Sequence, residues 1–133
     1  MARIIDQPPP SWDHDGLGMH VLVMTDLTCR NPQHDRRFSG TSAVRDAVIM
    51  DLEERREVGL GRYGTELQAW NGRDWRIDLY QELQDAVCYA RQGKEESDPA
   101  SLDWIVVDRV YEALIGHLLD LRRMIGVKDI EST

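Results

Sequence analysis

From Leu102 to Leu121 the chain carries an unusual density of apolar side chains. Leu102, Ile105, Val106, Val110, Tyr111, Leu114, Ile115, Leu118, Leu119 and Leu121 recur at helical spacing and cover more than one face. A helix of this kind belongs at the centre of a fold or in a subunit interface. Its ends are marked too. Ser97 or Asp98 can cap it, with Pro99 in the first turn. Arg122 and Arg123 sit near its negative pole, and Gly126 stops it after about Met124.

Two further helices precede it. The spacing predicts one from Thr41 or Ser42, either of which can cap it, to a stop at Gly59. Val44, Ala47, Val48 and Leu52 form its apolar stripe. A second helix is expected over about Asp74 to Gln92, with Gly93 as its stop. Its stripe is Trp75, Leu79, Leu83, Ala86 and Ala90. Between the two lies a glycine-punctuated turn, residues 59–73, with Asn71-Gly72 as a turn signal and Asn71 followed by Asp74 as a capping pattern.

The N-terminal part reads differently. Pro8-Pro9-Pro10 followed by Ser11-Trp12-Asp13-His14 cannot form a regular helix or a central strand. Residues 1–18 are expected to form an extended arm pinned by Trp12. Met19 to Leu27 fits a short strand or a short helix, and Asn31 to Gly40 is loop-like. The expected organisation is an arm and loop (1–40), a helical domain (41–126) and a C-terminal tail (127–133). The fold class is all-α, a helical bundle with an irregular N-terminal arm. Surplus apolar surface on the last helix points to a homodimer or homotetramer.

Composition narrows the function. At 133 residues the chain fits one domain. The net charge of −8 repels nucleic-acid phosphates, which argues against a nucleic-acid groove but not against one nucleotide bridged by metal ions. No apolar run approaches the ~20 residues that span a membrane. Cys29 and Cys88 lie outside any CxxC spacing and read as reduced thiols in the cytoplasm. Cys29 and His34 alone make a poor zinc site.

The chemistry-bearing residues are acidic. Glu53-Glu54-Arg55-Arg56-Glu57 and Gln81-Glu82-Leu83-Gln84-Asp85 each place carboxylates at i and i+3, on one side of a helix. Glu54 lies about 80° to one side of Val44, and Asp78, Glu82, Asp85 and Tyr89 line the corresponding flank of the next helix. Antiparallel packing would bring both flanks to one open face. Mg²⁺ prefers such oxygen donors and keeps several waters. The competing reading is a pair of solvated helix faces, with Glu53 and Arg56 as an ordinary surface pair.

Glu54-Arg55-Arg56-Glu57, then 24 residues, then Glu82-Leu83-Gln84-Asp85 resembles the ExxE…ExxD motif of the MazG family of all-α nucleoside triphosphate pyrophosphohydrolases. Arg62-Tyr63-Gly64-Thr65 and Asn71-Gly72-Arg73-Asp74 are similar to small phage and actinobacterial members, including the MazZ-type enzymes that act on dGTP and dATP. The resemblance spans roughly residues 42–125. It implies hydrolysis of a (deoxy)nucleoside triphosphate to the monophosphate and pyrophosphate, in the cytoplasm (the host cytoplasm for a phage protein). It also implies Mg²⁺, or Mn²⁺ in its place, held by Glu54, Glu57, Glu82 and Asp85, with Glu53 as a further ligand or water-orienting base beside Glu54. Arg55-Arg56 departs from the family's more apolar helix, so the choice among Asp51, Glu53, Glu54 and Glu57 stays open. Arg62, Arg91 and Lys94 are candidates for the outer phosphates, Asn71 for a base edge, Trp70 before Trp75 for stacking, and Tyr89 for a further substrate contact. A non-catalytic nucleotide- or metal-binding helical oligomer is the alternative.

Overall fold

The computed structural model describes residue 8 and residues 16–29 and 41–126. Most of the expected arm, including Trp12, the 31–40 loop with His34, and the tail 127–133 lie outside the described residues. The described residues form four helices and no strand: α1 (Met19–Cys29), α2 (Thr41–Tyr63), α3 (Trp75–Glu96) and α4 (Leu102–Ile125). The chain divides into two compact units at residues 73 and 74, one holding α1 and α2 and the other α3 and α4. None of the helices is long and apolar enough to cross a membrane.

In the first unit, the segment whose pattern fits strand or helix is helical. Thr25 and Thr28 donate their hydroxyls to the carbonyls of Val21 and Met24, each at 2.8 Å, so neither threonine competes with the helix. At its start the Met19 N–H donates to the Leu67 carbonyl (2.8 Å), and Gly18 and Gln68 form a single antiparallel backbone bridge. Near its end Arg45 donates to the Leu27 carbonyl (3.4 Å), so α1 and α2 run antiparallel.

α2 runs past the expected stop at Gly59. Gly59 and Gly61 stay in the helix, and the chain turns at Gly64, whose φ of 75° is the left-handed conformation that ends helices. The Gly64 N–H donates to the Leu60 carbonyl at 2.8 Å. The buried side is also rotated from the expected stripe. Ile49, Leu52 and Leu60 are half-buried together with Arg45 and Arg56, whereas Val44, Ala47 and Val48 are exposed. The arginine stems supply apolar cover that a count of hydrophobic residues does not register.

In the second unit, Asp74 caps α3 and its side chain accepts from the Arg76 N–H. Gly93, the expected stop, lies inside the helix. A Cβ there would stand 3.0 Å from Val107 Cγ2, so the missing side chain is what lets α3 and α4 approach. α3 ends at Glu96, and Ser97 donates its N–H to the Gly93 carbonyl. α4 starts one turn later than expected because Asp98 builds a turn of its own, accepting from the Ala100 N–H (3.0 Å), and Ser101 is the cap. Gly126 ends α4 as expected.

The hairpin core is thin. Ala90 and Leu121 are buried, and Leu83 and Ala86 half-buried, but Trp75 and Leu79 of the expected stripe are exposed. α4 leaves Leu102, Ile105, Val106, Val110 and Leu119 exposed, in keeping with apolar residues on more than one face.

Candidate metal and nucleotide site

α2 carries the first acidic cluster and resolves it into two kinds of carboxylate. Glu53 accepts from the Arg56 guanidinium at 2.9 Å. Arg56 also pairs with Glu66 beyond the turn, and the Glu66 carboxylate, then that of Glu53, raises the Arg56 pKa. Arg56 therefore ties helix α2 to the segment that meets the start of α1. Asp51, Glu54 and Glu57 are exposed, and among the described residues no ion pair engages any of them. Glu54 and Glu57 lie at i and i+3 and share a side of α2. Sequence reasoning found the Glu53–Arg56 pair but missed Glu66, because that contact crosses the turn and has no helical spacing.

The turn itself presents the nucleotide-reading candidates. Trp70 is 100% exposed and has a φ of 58°, a left-handed conformation that a bulky side chain seldom adopts. Asn71 accepts the Arg73 N–H on its Oδ1 at 3.0 Å, which shapes the turn just after the indole. Gly72 follows with φ 82°. Arg62 sits exposed in the last turn of α2.

α3 carries the second cluster. Glu82, Asp85 and Tyr89 are exposed and lie along one flank with Asp78, as the helical spacing requires. No ion pair among the described residues engages Glu82 or Asp85. Two other candidates point elsewhere. Arg91 lies about 180° around α3 from Glu82 and pairs with Glu95 at 2.5 Å. Lys94 faces α4, where its ammonium sits 2.7 Å from Asp108 and within 5.2 and 4.8 Å of the Trp104 and Tyr111 ring centres. Trp75, the second stacking candidate, is also exposed, at the first residue of α3.

Fit to a cation can be judged from the donors. No group of three or more His, Cys, Asp or Glu side chains placed to hold a metal ion occurs among the described residues. Glu82 with Asp85, and Glu54 with Glu57, each offer two exposed carboxylates on one helix. Mg²⁺ is commonly held by one or two carboxylates, with waters and substrate phosphates completing its shell, so each pair suits a hard cation that arrives with a nucleotide. Cys29 and Cys88 are exposed free thiols. Comparison with protein-family models, curated proteins and solved structures finds no match to this chain.

Proposed function

We propose that this chain hydrolyses a (deoxy)nucleoside triphosphate, dGTP or dATP first among them, to the monophosphate and pyrophosphate, within a MazG-like helical fold. The observation that carries the proposal is the exposed, unpaired couple Glu82 and Asp85 on one flank of α3. Glu54 and Glu57 supply a second couple of the same spacing on α2. The proposal requires these two couples to converge on one substrate, within one chain or across two copies.

In this reading, Glu54, Glu57, Glu82 and Asp85 would hold Mg²⁺, which would supply charge neutralisation and acidify a bound water. Water attacks the α-phosphorus, the bond to the bridging oxygen breaks, and pyrophosphate leaves. Arg62 faces the outer phosphates, and Trp70 and Asn71 receive the base. Tyr89 adds a contact on the carboxylate flank. Arg91 and Lys94 drop out of the phosphate role, because neither shares that flank and each has a carboxylate partner. The protein works in the cytoplasm, where its thiols stay reduced.

One observation favours the alternative, a nucleotide- or metal-binding helical oligomer without turnover. Glu53, the candidate water-orienting base, is taken up by Arg56. Turnover separates the two. Hydrolysis is expected with Mg²⁺, and Glu82→Gln is expected to lower it by at least about 100-fold while leaving the helical circular dichroism unchanged. An active, folded Glu82→Gln protein would place the site elsewhere.

A further inference from the structure

One side of α3 is sheltered where α4 cannot shelter it. Ala90 is buried on the side that meets α4. Gln81 lies about 180° around α3 from Ala90, and Ile77 about 140°. Both therefore point away from the hairpin partner, yet both are half-buried. The Gln81 Nε2 is itself buried and makes no hydrogen bond. Further along the same side, Gln84, Asp85 and Cys88 are exposed. The sheltered stretch thus spans the first two turns of α3 and stops.

Pro8 shows where an occupant can come from. The Arg73 guanidinium donates to the Pro8 carbonyl at 2.8 Å, and Arg73 directly precedes Asp74, the cap of α3. The seven residues before Pro8, Met1-Ala2-Arg3-Ile4-Ile5-Asp6-Gln7, therefore leave from a point one arginine side chain away from the start of α3. Fully extended they reach roughly 23 Å, and Arg3 can stand about 16 Å from Pro8. α3 climbs about 10 Å from Asp74 to Gln81, so the reach suffices with a few residues spent crossing to the helix.

We propose that residues 1–7 lie extended over Ile77 and Gln81. Alternate side chains of an extended segment share a face, so Arg3 and Ile5 point together. Ile5 covers Ile77, and a backbone carbonyl of the segment accepts from the Gln81 Nε2. Arg3 meets the acidic edge of this side, where Asp78, Glu82 and Asp85 follow at helical spacing. Arg76, the basic residue in the first turn of α3, is committed to Asp74. The tail 127–133 suits that edge less well, because Asp129 and Glu131 outnumber Lys128. Glu82 also serves the proposed function, but the placement of the arm does not depend on that reading.

Paramagnetic relaxation in the full chain tests this without reading activity. A nitroxide is attached at Ala2→Cys in a background of Cys29→Ser and Cys88→Ser, which replace exposed thiols. The amides of Ile77 to Glu82 are expected to lose most of their intensity, and those of Ser101 to Val106, at the far end of the hairpin, to keep theirs. Adding Arg3→Glu and Ile5→Asp is expected to return the lost intensity. Sharp α3 signals in the first protein, or broadening that persists in the second, would overturn the proposal. So would broadening found only on isotope-labelled copies mixed with spin-labelled ones, which gives this side to a second molecule. Broadening from a label at Ser132→Cys in place of Ala2→Cys would give it to the tail and overturn the proposal equally.

Discussion

Asp74 does two jobs within one turn. Its Oδ1 accepts the Arg76 N–H at 3.1 Å as the cap of α3, and both carboxylate oxygens take the Arg76 guanidinium at 2.8–3.0 Å. That side-chain hydrogen bond, aided by the backbone one, holds the Asp74 carboxyl below its usual 3.8. A folded pKa below the unfolded one means stabilisation that is present above about pH 4 and lost as pH falls through the depressed value. Asp74→Asn keeps the cap and removes the charge. Thermal melts of the two proteins at pH 7 and pH 3 are therefore expected to show a larger acid-induced drop in the wild type than in Asp74→Asn. Lys94 makes a second residue-scale case. Its amine bridges Asp108 and two rings with the side chain only 17% exposed. Lys94→Ala is expected to destabilise the protein by about 1–2 kcal/mol in urea titration. A phosphate-contacting lysine on an open surface would instead leave stability unchanged. Spacing alone could not reveal this, because Lys94 reads as part of a charged linker until α3 is known to run on to Glu96.

At the scale of elements, helix existence was legible and helix ends were less so. The stop at Gly126 follows from local chemistry and stands in the structure, whereas the cap of α3 is Asp74 itself, Asn71 being spent on the Arg73 N–H inside the turn. Gly59 and Gly93 looked like equally good stops, yet each helix runs about one turn past its glycine, α2 to Tyr63 and α3 to Glu96. A glycine ends a helix only where the chain turns left-handed, as Gly64 does, and that choice depends on what the next segment packs against. For Gly64 the next segment is tied down by Leu67 on Met19 and by Arg56 on Glu66. Gly59 and Gly61 have open space where a Cβ would stand, and neither has a positive φ. Gly59→Ala and Gly61→Ala are each expected to stabilise α2 by about 0.5–1 kcal/mol, read as a raised melting temperature. Unchanged or lowered values would mean that α2 is not helical through residue 61. The rotated stripe of α2 has a similar origin. Val44, Ala47 and Val48 have the right hydropathy, but the side carrying Ile49, Leu52 and Leu60 gains the Arg45 contact to α1 as well.

At the scale of the molecule, the all-helical class follows directly from the sequence periodicity, whereas the partition into two helical units does not. Residues 59–73 look like one connecting turn in sequence. Their first five residues belong to α2, and the rest fold back on the start of α1. The candidate site was partly legible. Matching i, i+3 carboxylates on two helices can be read from letters, and so can a tryptophan beside Asn-Gly, although its full exposure cannot. The capture of Arg56 by Glu66, and of Lys94 by α4, required coordinates because both contacts cross from one helix to a segment with no fixed helical phase to it. What remains for the central claim is chemistry at the two carboxylate couples. The most direct measurement is product analysis after incubating the full chain with Mg²⁺ and each canonical ribo- and deoxyribonucleoside triphosphate. Pyrophosphate and a monophosphate, with dGTP or dATP turned over fastest and no free phosphate, is the predicted result. No turnover of any nucleotide, or release of free phosphate with a diphosphate product, would contradict the account.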